Sequence, residues 1–229
     1  MTIAPPEAIA AAREIVYAAM PATPTYAYPL LDVRTGAKVF VKHENHTPVG
    51  AFKMRGGLNF MAGYAAEGRR QGVITATRGN HGQSIAFAAA RVGVEATIVV
   101  PEGNSVEKNR AMQGLCGKLV VHGHDFQAAA EYAAERAAAD GLYMLPSFHE
   151  RLIAGVATYA MELFEAAPDL DAVYAPIGLG SGLCGIISAR DALGLKTEVI
   201  GVVAEGAPCY ALSFEAGAPV STNAADTMA

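Results

Sequence analysis

The sequence predicts an α/β protein with a largely parallel sheet. Short β-branched runs alternate with alanine-rich stretches of helical length, and single helices separate the strands, as right-handed βαβ crossovers require. In chain order, a helix is expected over 6–19, then a strand at 38–42 (KVFVK) and a helix over 53–67 after a glycine-containing loop. Next come a strand at 72–75 (GVIT), a helix over 81–92 opened by a Gly-Asn turn, and a strand at 96–100 (ATIVV). The helix over 105–114 carries a start signal, Asn104-Ser105 followed by Glu107, and the helix over 126–139 follows Asp125, another capping residue. Between them lies a strand at 118–121 (KLVV). The rest reads as a helix over 151–166, a strand at 172–175 (AVYA), a helix over 181–193 after a glycine-rich turn, a strand at 197–203 (TEVIGVV) and a helix over 208–215. The terminal stretch 216–229 (AGAPVSTNAADTMA) completes no strand and reads as a chain cut short or a loose tail.

Composition narrows the function. A chain of 229 residues with 52% hydrophobic and 17% charged content is that of a globular protein with a proper core. A net charge of −5 leaves no basic footprint for nucleic acid. Apolar stretches are interrupted well short of the roughly 20 residues a membrane helix needs, so no membrane partner is expected. Glu7 and Glu14 among the N-terminal alanines argue against a signal peptide. Cys116, Cys184 and Cys209 are odd in number, widely spaced and form no CxxC pair, which suits reduced thiols in a cytoplasmic protein.

Three segments carry chemistry, each after an expected strand, where loops and helix N-termini converge in parallel sheets. In GAFKMRG, Lys53 lies where a loop hands over to a helix, flanked by Phe52 and Met54. Desolvation and the helix dipole both disfavour its charge there, which suits a Schiff-base lysine; a solvated lysine on a helix face fits the same seven residues. In TATRGNHGQ, free backbone N–H groups at a helix start form an anion cradle, with Thr77, Asn80, His81 and Gln83 adding side-chain hydrogen bonds suited to a carboxylate. A merely well-capped helix is the alternative. In PIGLGSGLCG, glycines allow backbone to approach a phosphate and Ser181 offers a hydroxyl. This third segment also fits a nicotinamide-dependent dehydrogenase, with Glu205, 25 residues after Gly180, as the ribose-binding acid. The combination favours the first reading. An imine lysine, a carboxylate cradle and a phosphate cradle are the parts a pyridoxal-phosphate amino-acid enzyme needs, and a dehydrogenase accounts only for the third.

In order and spacing these segments resemble fold-type II pyridoxal-phosphate enzymes, specifically the threonine dehydratase and serine racemase family. GAFKMRG resembles the family's SFKxRG, TRGNHGQ its SxGNHxQ loop, and GLGSG its tetraglycine phosphate loop. KHENHTPVGAFK, VVPEG and IAGVAT add to the likeness, which runs from about Pro24 to Asp226. The resemblance implies a tryptophan synthase β-like architecture with pyridoxal 5'-phosphate held as a Schiff base by Lys53. Phe52 would pack on the cofactor ring and Asn80 would bond its phenolic oxygen. Gly178, Gly180, Ser181 and Gly182 would hold its phosphate. Thr77, His81 and Gln83 would bind the substrate carboxylate, and Lys53 would double as the base that removes the α-proton. The implied reaction turns a β-hydroxy amino acid such as threonine or serine into a 2-oxo acid and ammonia, in a homodimer or tetramer.

Departures from the family pattern qualify these expectations. Arg78 replaces a small residue, or the serine that racemases use as proton carrier. It could pair with a carboxylate on the substrate, selecting a rarer compound such as 3-hydroxyaspartate or a hydroxyectoine breakdown product, or it could turn outward. Ala51 stands in place of the usual serine, and GLGSG is not all glycine. Family members run roughly a hundred residues further, so the C-terminal part is expected to be missing, with an inactive truncated relative as one outcome. Domains are expected at 1–71 with 150–229 (large, cofactor-binding) and at 72–149 (small), the site lying between them. No metal is expected, because the loop after Glu205 offers no second acid, and His122 and His124 read as a strand-end turn.

Overall fold

The computed structural model describes residues 3–222 and 225–227. Helix α1 (Pro6–Tyr17) opens with proline at its start and buries Ile9, Ala12 and Val16, one face at helical spacing. Strands β1 (Thr25–Ala27) and β2 (Phe40–Lys42) pair antiparallel around α2 (Pro29–Thr35). A single 3-10 turn, Glu44–His46, leads to α3 (Lys53–Ala66).

The middle of the chain alternates regularly. It runs β3 (Val73–Ala76), α4 (Asn80–Arg91), β4 (Ala96–Val100), α5 (Val106–Gly114), β5 (Gly117–Val121), α6 (Phe126–Asp140) and β6 (Tyr143–Met144). These four strands form one parallel sheet in the order β5-β4-β3-β6. Every residue of β3 and β4 is buried, as expected for central parallel strands covered on both faces. Alternation along β4 sorts the two faces: Ile98 and Val100 pack with Ile85 and Ala89 of α4, whereas Val99 packs with Ala129 and Ala133 of α6. The alanines of α6 fall at i, i+4 and i+8 (Ala129, Ala133, Ala137), a narrow stripe that brings the helix close to the sheet.

Helix α7 (Glu150–Ala166) is buried along most of its length against α1, α3 and α8 (Ser181–Ala192). Strands β7 (Ala172–Pro176) and β8 (Glu198–Val202) pair parallel, and α9 (Cys209–Ala216) follows. One face of this pair is open, with Tyr174 70% exposed. The expected caps are in place: Ser105 accepts from Lys108 N–H, and Asp125 Oδ1 accepts from Ala128 N–H at 2.8 Å. Beyond α9, residues 218–222 and 225–227 form neither helix nor strand, and 223–224 and 228–229 of the expected tail lie outside the described residues.

Candidate active site

Lys53 is the first residue of α3, and its approach is fixed by hydrogen bonds. Thr47 Oγ1 donates to the Ala51 carbonyl at 3.0 Å and accepts from Ala51 N–H at 2.8 Å, closing the loop that delivers Phe52 and Lys53. The Lys53 amine donates to Ser181 Oγ at 2.7 Å, across 128 residues of sequence. Burial pushes the Lys53 amine below the ordinary lysine range, so the neutral, nucleophilic form is reached at lower pH.

Ser181 begins α8, which no side chain caps. The first N–H groups of a helix have no intrahelical acceptor, so this terminus presents donors and positive potential. Gly180, the N-cap, has φ +92, a left-handed conformation that glycine adopts without a Cβ penalty. A Cβ on Gly182 would stand 3.2 Å from Phe52 Cζ, so the turn and the Phe52 ring are in close contact. The Phe52 ring packs in turn on buried Tyr159, with centroids 5.8 Å apart. Ser181 and Gly182 are buried, Gly180 is half-buried and Gly178 is exposed with nothing near its Cβ position.

The third segment joins from β3. Thr77 Oγ1 accepts from Gly79 N–H at 3.0 Å and Gly82 N–H at 3.3 Å, so this buried hydroxyl shapes the loop. Ser84 Oγ donates to the Lys53 carbonyl at 2.6 Å, tying the first turns of α4 and α3 together. His81 is 8% exposed and its Nε2 has no partner. Burial, with the nearby Lys53 charge adding, lowers its pKa to about 3, so the ring is neutral at physiological pH. Gln83 is buried beside it, whereas Arg78 and Asn80 are exposed at the rim. Glu205 is exposed on the loop after β8.

Behind Lys53 lies a charge network that sequence reasoning missed. Arg55 is wholly buried and donates through Nε to Glu44 at 2.8 Å and through Nη1 to Glu162 at 2.6 Å and Thr158 at 3.1 Å. Lys42 Nζ donates to Glu162 at 2.6 Å. Burial pushes the Glu162 carboxyl up, but the Arg55 and Lys42 hydrogen bonds outweigh it and leave the group below the usual carboxylate range. The signal was present in the Arg of GAFKMRG and the Thr of IAGVAT, which meet here. His122, read as part of a strand-end turn, stacks on Tyr132 with ring centroids 3.8 Å apart, and His124 contacts Asp125 at 3.4 Å.

The donor set fits pyridoxal phosphate. It offers a buried amine within hydrogen-bond reach of an uncapped helix start, an aromatic ring beside the glycine turn, and an orphaned imidazole nitrogen in a second, anion-suited loop. An open cavity of about 1260 Å³ has Phe52, Tyr159 and Gly182 in its wall; Lys53 does not line it.

Comparison with known proteins agrees with this geometry. A family model described as pyridoxal-phosphate dependent enzyme matches residues 17–229. The biosynthetic L-threonine dehydratase of Salmonella typhimurium is 38% identical over 209 residues, covering 91% of this chain and 41% of the relative. L-threo-3-hydroxyaspartate ammonia-lyase of Saccharomyces cerevisiae is 35% identical over 208 residues, covering 90% of this chain and 64% of the relative. The processed form of threonine deaminase isoform 2 from Solanum lycopersicum superposes with a TM-score of 0.88 at 31% identity, covering 96% of this chain and 65% of that one. The chain thus spans about 40% of the length of the bacterial dehydratases it matches.

Proposed function

Since the chain belongs to the pyridoxal-phosphate dependent enzyme family, we propose that it acts as a dehydratase that converts threonine or serine to a 2-oxo acid and ammonia. The observation that carries this reading is the 2.7 Å contact between the Lys53 amine and Ser181 at the glycine turn. When bound, pyridoxal phosphate supplies an electron sink that acidifies the α-carbon of an amino acid.

In this reading Lys53 would anchor the cofactor and would take the α-proton of the substrate at Nζ; its lowered pKa favours both roles. Gly178, Gly180, Ser181 and Gly182 would hold the phosphate, Phe52 would pack on the ring and Asn80 would bond the phenolic oxygen. The backbone of the 77–83 loop, with Thr77, His81 and Gln83, would orient the substrate carboxylate, and Arg78 would be a further substrate contact on the same loop. His81 serves as a neutral donor or acceptor and not as a cation, in keeping with its low pKa. The links from Lys53 to Ser181 at the glycine turn and to Ser84, just after the 77–83 loop, favour this reading over a nicotinamide dehydrogenase, which needs neither.

Residues 1–71 with 150–229 are read as a large domain and 72–149 as a small one; that β3, β4, β5 and β6 form one sheet supports it. Exposed Leu30 and Val33 on α2 support self-association as a homodimer or tetramer. The three free cysteines support a cytoplasmic setting.

The test is 2-oxo acid release from threonine and serine by the purified holoenzyme beside Lys53→Ala. Wild-type turnover that falls on the order of 10²–10⁴-fold or more in the variant supports the reading. Turnover retained in Lys53→Ala contradicts it.

A further inference from the structure

Two cations stand at the carboxylate loop without an anion to pair with among the described residues. Arg78 is exposed at the loop's second position, and its guanidinium makes no ion pair or hydrogen bond there. Lys108, half-buried on α5, lays its side chain over the same loop: the Cβ position of Gly79 is 3.1 Å from Lys108 Cε and 3.3 Å from Nζ. Helix α5 is held in this register by close packing on α4, where a Cβ on Gly82 would overlap Met112 Sδ. The Lys108 ammonium likewise has no acceptor among the described residues. These charges add to the positive potential at the start of α4, which Asn80 and His81 open. The buried, unpartnered Nε2 of His81 completes the set.

One α-carboxylate needs the helix start and a few hydrogen bonds. A guanidinium and an ammonium are left over. In a chain of net charge −5, two like charges beside one loop, neither paired with a carboxylate, raise a local positive potential that favours an anion. We propose that Arg78 and Lys108 form a second anion subsite beside the carboxylate loop, so that, beside threonine and serine, the protein takes β-hydroxy amino acids whose side chain ends in a carboxylate. A short dicarboxylic skeleton places both of its acid groups against one loop: the α-carboxylate at the start of α4, and the distal one between Arg78 and Lys108. Arg78 supplies planar, bidentate recognition, and Lys108, whose Nζ lies beside Gly79, a point charge. The inference rests on the dehydratase reading above and extends its substrate class.

The experiment measures kcat/KM of the holoenzyme for 3-hydroxyaspartate and for threonine, in the parent, Arg78→Ala, Lys108→Met and Lys108→Arg. The ratio of the two values is expected to favour 3-hydroxyaspartate in the parent and to fall roughly 10- to 100-fold in Arg78→Ala and Lys108→Met, the loss of one charge-assisted bond. Lys108→Arg should retain most of it. A ratio that is the same in all four proteins overturns the proposal. Succinate, which cannot react, is titrated into the same four proteins by calorimetry. Binding weakened by Arg78→Ala and Lys108→Met supports the subsite, and equal binding in all four overturns it. If no hydroxy-amino acid yields a 2-oxo acid, the dehydratase reading fails separately, and the succinate titration still decides the anion pair. Should Lys108→Met not fold by circular dichroism, Arg78→Ala carries both measurements.

Discussion

Lys53 and Arg55 are two residues apart at the start of α3 and face opposite chemical tasks. Lys53 reaches Ser181 as an amine whose charge is disfavoured, whereas Arg55 is locked as a cation between Glu44 and Glu162. Removing one partner of such a buried pair leaves an uncompensated charge, so Glu162→Ala is expected to cost about 3–5 kcal/mol, read by urea denaturation. A cost under about 1 kcal/mol would show that the network relaxes or fills with water. His81 gives a pH signature. Its pKa is about 3 in the fold against an ordinary 6.5, so between those values the folded chain binds fewer protons than the unfolded one. Its contribution is complete above about pH 6.5 and is lost as pH falls toward 3, at no more than about 1.4 kcal/mol per pH unit. The stability difference between the parent and His81→Gln should therefore shrink from pH 6.5 to pH 4. A difference constant over that range counts against a buried neutral His81.

Helices α3 and α7 cross where two glycine-bearing segments meet. A Cβ on Gly56 would stand 2.7 Å from the Leu152 carbonyl oxygen, and one on Gly155 would fall on the Arg55 carbonyl and 2.8 Å from Gly56 Cα. Because these are backbone atoms, no rotamer change makes room. Gly155→Ala is expected to destabilise by about 1–3 kcal/mol or more and to lower cofactor affinity, since it displaces the helix that carries Lys53. An unchanged melting temperature would contradict the close crossing. The sequence revealed elements unevenly for a related reason. Buried runs such as ATIVV and the alanine stripe of α6 carry their own period, so β4 and α6 lie within a residue of expectation. Strands β1 and β6 have three and two residues and exist only through pairing with β2 and β3, and α2 has no buried residue to give it a period. None of these three was foreseen. Nor was the Arg55 network, because its members are spread from Thr23 to Glu162 and meet only in the fold.

At the scale of the whole molecule, three loops far apart in sequence are brought to one place by separate structural units. The sheet β5-β4-β3-β6 presents the 77–83 loop at the end of β3, and the packing of α7 on α8 presents the glycine turn. Lys53 bridges them through Ser84 on one side and Ser181 on the other. This convergence was legible from the order of the motifs, but the identity of the residues that hold it was not. Borohydride reduction of the holoenzyme followed by peptide mass mapping tests the arrangement most directly. The account predicts a single pyridoxyl group on Lys53, in the tryptic peptide spanning residues 43–55; a pyridoxyl group on any other lysine, or none, would contradict it.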